Sequence, residues 1–98
     1  MQKPKKQRPK APPAPKSLHR PEYAAVLKVL LELREEADLL QSELGKKLGR
    51  SQSYVSMAER GAIRLDALQL RDWCAACGTT LAAFVETLEG KWSQGKRR

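Results

Sequence analysis

The chain has little of what catalytic or secreted proteins are usually built on. It holds one histidine, two cysteines, two Trp, two Tyr and one Phe. Two cysteines cannot form a disulfide framework, and an intracellular, cytoplasmic setting is the expectation. No apolar run approaches the roughly 20 residues of a membrane span. The basic N-terminus leads into Pro and Ala rather than an apolar stretch of about 7–15 residues, so a secretory signal is not expected. No nucleophile–base pairing, metal cluster or glycine-rich phosphate loop can be assembled, which argues against an enzyme and against a metal or other cofactor. Acidic residues are missing altogether from residues 1–21.

What is present is charge, unevenly placed. Residues 1–21 carry +7, residues 90–98 carry +4, and residues 22–89 carry −3. The chain of 98 residues suits one domain. A body of about 70 residues buries only around 60% of its unfolded surface, which leaves one modest core.

Residues 1–20, with Pro4, Pro9, Pro12, Pro13 and Pro15 among Lys and Arg, are expected to form a disordered, extended basic arm. Such an arm either aids solubility or tracks nucleic-acid phosphates. Residues 21–90 form the expected domain, and residues 91–98 a short basic tail that opens at Gly90. Pro21 suits a first helical position. Tyr23, Val26, Leu27, Leu30, Leu33 and Ala37 then recur at three- and four-residue spacing, predicting a helix over 22–37. Asp38 tolerates the left-handed exit. A second helix is expected over 41–48, ended by Gly49, and a third over 52–60, capped by Ser51 and ended by Gly61. Asp66 caps a fourth over 67–77 that carries Leu68, Leu70, Trp73, Cys74 and Cys77. Thr80 caps a fifth with Leu81, Phe84, Val85 and Leu88 on its apolar face. No segment alternates with period two, so the fold class is all-α with five short helices.

Two helices of about eight residues joined by a three-residue, glycine-containing turn make a helix-turn-helix. The run from Gln41 to Gly49, then Arg50-Ser-Gln-Ser-Tyr-Val-Ser-Met-Ala-Glu-Arg-Gly61, closely resembles the phage-repressor (Cro- and Xre-like) family. The likeness continues through the fourth helix to Gly78-Thr-Thr-Leu and spans roughly residues 23–89. It implies a compact lambda-repressor-like domain that binds duplex DNA. Gln52 and Ser53 would then read bases, with Met57 offering an apolar contact and Tyr54 and Ser56 flanking them. Gln41, Arg60 and Arg64 would bind phosphates, helped by Lys46, Lys47 and Arg50. Residues 41–64 carry +3 within a negative body, as docking on a polyanion requires. Two residues depart from the family pattern: Leu40 stands where a polar cap is usual, and Gly45 where alanine is.

Arg34 falls on the buried face of the first helix, where a charge must be paired. The resemblance places its partner at Glu59, making that pair structural. Cys74 and Cys77 form a lone C-x-x-C with no second pair, so core filler is expected and a redox-sensing thiol pair is the alternative. Leu81, Val85, Leu88 and Trp92 would either cover a second subunit of a homodimer or pack within the chain. The functional expectation is a repressor on a palindromic operator, relieved by dilution, a protein partner or proteolysis, since no second domain is evident to sense a metabolite. The alternatives are an antitoxin or adaptor module bound to a protein partner, and non-specific packaging of nucleic acid by the tails.

Overall fold

The computed structural model describes residues 20–96. The expectations for the arm, Arg20 excepted, lie outside the described residues. Five helices follow in order: α1 Tyr23–Glu36, α2 Gln41–Leu48, α3 Gln52–Arg60, α4 Ala67–Ala76 and α5 Leu81–Lys96. No strand occurs among the described residues.

Local chemistry sets most of the boundaries. Pro21 lies in a turn ahead of α1, where Tyr23 N donates to Arg20 O at 2.9 Å. Asp38 leaves α1 at φ 60°. Gly49 and Gly61 end α2 and α3 at φ 69° and 79°, the left-handed region in which a Cβ is strained. Ser51 Oγ accepts from Tyr54 N at 3.2 Å. Asp66 and Gln69 cap α4 reciprocally, each side chain accepting from the other's backbone N–H at 2.8 Å. Thr80 Oγ1 accepts from Ala83 N at the start of α5.

Helix α2 is the exception. Leu40 has no side-chain acceptor to offer, so only half a capping box forms: Glu43 Oε1 accepts from Leu40 N at 2.8 Å. The Leu40 side chain is left 64% exposed. Leu40→Ser supplies the missing acceptor and removes an apolar side chain from water. We expect it to raise stability by about 1 kcal/mol, read by urea denaturation; a loss would mean Leu40 makes a contact that outweighs the cap.

The core is built on Trp73, Phe84, Leu30, Leu44, Val55 and Cys74, all essentially inaccessible. Trp73 lies at its centre and donates its indole N–H to Leu30 O at 3.2 Å, tying α4 to α1. Val29 and Leu65 join the core although neither stood out in the sequence. Leu68 is 63% exposed, off the buried phase of α4.

The expected break at Gly90 is corrected. Helix α5 runs through it to Lys96, and Gly90 has no positive φ and nothing within 4 Å of where a Cβ would stand. The continuation carries Trp92 back onto the body, where its indole N–H donates to Glu22 O at 3.0 Å. Of the two alternatives for Leu81, Val85, Leu88 and Trp92, packing within the chain accounts for three. Leu88 is buried, and Leu81 and Trp92 pack on the chain's own core. Val85 alone of the four stays largely exposed, at 43%.

Candidate nucleic-acid interface

Helices α2 and α3 are joined so closely that the joint itself constrains the sequence. A Cβ on Gly45 would lie 2.9 Å from Ser51 O and 3.0 Å from Arg50 O. These are backbone atoms of the turn and cannot swing aside. Arg50 N also donates to Gly45 O at 2.8 Å. The glycine that weakens α2 by about 1 kcal/mol in helix propensity thus admits the turn at contact distance.

The outer face of α3 presents Gln52, Ser53, Ser56, Met57 and Arg60 around one shallow concavity. Gln52, Ser53 and Arg60 are exposed, while Ser56 and Met57 are half-buried. Arg60 Nε donates to Ser56 Oγ at 3.4 Å, one turn back along the same face. Tyr54, expected beside these residues, does not belong with them. It is only 6% exposed, because it shares the inward phase of Val55 and Ala58. Burial pushes its hydroxyl above the ordinary tyrosine value, although the nearby Arg50 opposes the shift. Its ring serves instead as a shelf for Arg50, whose guanidinium carbon lies 4.0 Å from the ring centroid.

Behind this face lies a connected line of polar side chains. Arg34 Nε donates to Glu59 Oε2 at 2.6 Å and Nη2 to Oε1 at 3.1 Å, a two-pronged pair with side chains 14% and 7% exposed. Arg34 Nη1 donates to Leu39 O at 2.8 Å, which fixes the chain as it leaves α1. The hydrogen bond it donates to Glu59 holds the guanidinium above its ordinary pKa, so it stays charged. Glu59 Oε1 also accepts from Gln41 Nε2 at 3.0 Å, and Gln41 Oε1 accepts from Gln52 Nε2 at 3.3 Å. A glutamine oxygen engaged in this way settles which end of the Gln52 amide faces inward.

The cations expected around α3 are dispersed. Lys46 and Lys47 are exposed in the last turn of α2. Lys47 lines a concavity with Asp72, Ala75 and Ala76 of α4, separate from the one beside Gln52. Arg64 lies over the Tyr23 ring at 4.2 Å, in the connection after α3. The helix phase could have flagged Tyr54 beforehand. No local signal could have flagged the Gln41–Glu59 bond.

The cysteines are both free, with Cys74 buried and Cys77 half-buried. Burial, and then the neighbouring Cys74, push the Cys77 thiol up to about 11, and burial raises Cys74 as well. From an ordinary value of 9.0 this leaves about a hundredfold less thiolate on Cys77 at pH 8. Alkylation by iodoacetamide at that pH should be slower in the native chain than in the urea-unfolded chain by a similar factor. Equal rates would mean the thiol is open to water. Because the folded-state value is the higher one, the thiol's contribution to stability is complete below pH 9 and lost between about 9 and 11. Among the described residues no group of three or more His, Cys, Asp or Glu is placed to hold a metal. Nor is any helix there long and apolar enough to cross a membrane.

A family model described as helix-turn-helix matches residues 30–84. The chain is similar to the XRE-family like protein from Pseudomonas syringae pv. tomato str. DC3000, with 40% identity and a TM-score of 0.70. That match covers 82% of this chain and 98% of the other. It also shares its fold with the clp gene regulator ClgR from Corynebacterium glutamicum, at 22% identity and a TM-score of 0.67 over 78% of this chain and 81% of that one. Among curated proteins none matches the chain.

Proposed function

Because the chain belongs to the Xre-type family of helix-turn-helix regulators, which bind DNA to control transcription, we propose that it represses by occupying a palindromic operator as a homodimer. Each copy would lay α3 in a major groove about 12 Å wide, with half-sites about one helical turn, some 34–36 Å, apart. Two bound copies would block the promoter.

The observation that carries the base-reading assignment is the exposure of Gln52 and Ser53 at the start of α3, with the Gln52 amide already oriented by Gln41. A glutamine fixed in one amide orientation can offer its donor and acceptor together to adenine N6 and N7 without first losing rotamer freedom. Gln41 has a second N–H beyond the one given to Glu59, which suits a backbone phosphate at the first turn of α2. Arg60, at the far end of the same face, suits a phosphate across the groove. Met57, between them, suits a thymine methyl. Arg50, stacked on Tyr54, offers a second phosphate contact beside the turn.

Selection of bound fragments from a random duplex library tests the reading as a whole; recovery of no common sequence would defeat it. With a selected site in hand, Gln52→Ala should cost about 1–3 kcal/mol on that site and relax preference at one base step. Arg60→Ala should instead weaken all duplexes alike and reduce the salt slope by about one unit. If the two variants lose affinity in the same uniform way, Gln52 does not read bases. Sedimentation of the complex with the selected duplex tests the dimer, which requires two chains per site.

A further inference from the structure

We propose that the outward face of α4 is a self-association surface, on which a second copy of this chain lays its own α4 antiparallel. The inward side of α4 is spent on the core, through Leu70, Trp73 and Cys74. The outward side carries Leu68, Arg71, Asp72 and Ala75, all exposed and spaced i, i+3, i+4 and i+7, so they form one stripe. Leu68, at its N-terminal end, is 63% exposed. At the other end a shallow concavity of about 420 Å³ opens between α2 and α4. Leu48, Ala75 and Ala76 give it an apolar lining, and Lys47 and Asp72 a polar one. One helix thus presents an apolar knob and, two turns on, a hollow of matching chemistry.

A second copy is the occupant because the stripe is complementary to itself. In a two-fold contact, residue i meets j and j meets i. An axis between Arg71 and Asp72 sets Arg71 against Asp72 of the other copy, twice, and Leu68 against Ala75, twice. Each leucine then falls at the hollow of the facing chain, and the small Ala75 lets the helix axes approach to the usual 8–10 Å or so. Arg71 and Asp72 are available for this, since neither forms an ion pair among the described residues. Helix α5 lacks the same property. Its exposed apolar residue, Val85, stands with the exposed acids Glu86 and Glu89, which a two-fold partner would set against their own copies.

The proposal deepens the homodimer reading and rests on it for its role on DNA, but the surface is tested without DNA. One short helix against its copy is a small interface, under about 1,200 Å², so free chains should pair weakly, with a Kd on the order of 0.1 mM. Sedimentation equilibrium of the full-length chain at about 0.15 M salt reads this directly. A chain that stays monomeric up to about 1 mM overturns the proposal. Leu68→Glu, a change on an exposed side chain, should abolish pairing; unchanged pairing overturns the face. Arg71→Asp and Asp72→Arg should each raise the Kd at least about tenfold, because like charges then meet twice. The double variant Arg71→Asp/Asp72→Arg should return to within about threefold of native, and an equimolar mixture of the two single variants should pair as well. Misfolding cannot produce either rescue, and failure of either overturns the register. On a selected palindromic duplex, Leu68→Glu should lose affinity at least about fivefold yet bind an isolated half-site like the native chain. Two native chains per duplex with an indifferent Leu68→Glu would defeat this face alone. One native chain per duplex would instead defeat the homodimer reading.

Discussion

Glu59→Ala should destabilise the protein by about 3–5 kcal/mol, the cost of leaving a largely buried charge without its counterion. The side chain removed accepts three hydrogen bonds, two from Arg34 and one from Gln41. Once it is gone, Arg34 keeps only Leu39 O, and its charge cannot be relieved by deprotonation because a guanidinium stays protonated. A domain of this size has a total stability of about 0.05–0.15 kcal/mol per residue, so the variant lies close to its folding threshold. For a domain of about 60–100 residues each kcal/mol moves Tm by roughly 4–8 °C, and a drop of roughly 12–40 °C follows. Replacing both partners with apolar residues of similar volume should be far less damaging than either single change, since neither charge is then stranded. A loss below about 1 kcal/mol would place the pair among solvated surface bridges.

The second large effect is expected at Trp73. It is fully buried at the meeting of α1 and α4, and its indole N–H bonds Leu30 O across them. Trp73→Ala should cost about 3–5 kcal/mol, combining lost transfer energy with a cavity that short, mutually braced helices cannot collapse to fill. Trp73→Phe keeps most of the apolar contact and gives up one hydrogen bond and part of the volume, for about 2 kcal/mol. Urea denaturation of both variants checks this. If the two changes cost the same, the indole hydrogen bond rather than the filled volume dominates the site.

Much of the architecture was legible because its punctuation is chemical and local. Ser51, Asp66, Gly49 and Gly61 mark helix ends through caps and positive φ, and α2 and α3 begin and end where those residues imply. Arg34 was readable as a paired charge because it interrupts an apolar stripe. Gly90 misled because glycine ends a helix only when it takes a left-handed conformation or is met by no further packing. Here Trp92, beyond it, supplies burial that outweighs a propensity cost of about 1 kcal/mol. Tyr54 was misassigned by proximity in sequence to Ser53, although its four-residue spacing from Ala58 assigns it to the core. The bond from Trp92 to Glu22 joins residues 70 apart and has no signature in either neighbourhood. The same holds for the route from Glu59 through Gln41 to Gln52, which only the crossing of α2 and α3 creates.

That indole-to-Glu22 bond has an electrical consequence. It clasps the last helix to the residue two places after Arg20, so the chain enters and leaves the folded body at a common corner. Segments carrying +7 and +4 therefore attach side by side, while the remainder of the molecule carries −3. Two cationic segments thus join a negative body at neighbouring points held by a single tryptophan, and their charges act together in the long-range attraction of a polyanion.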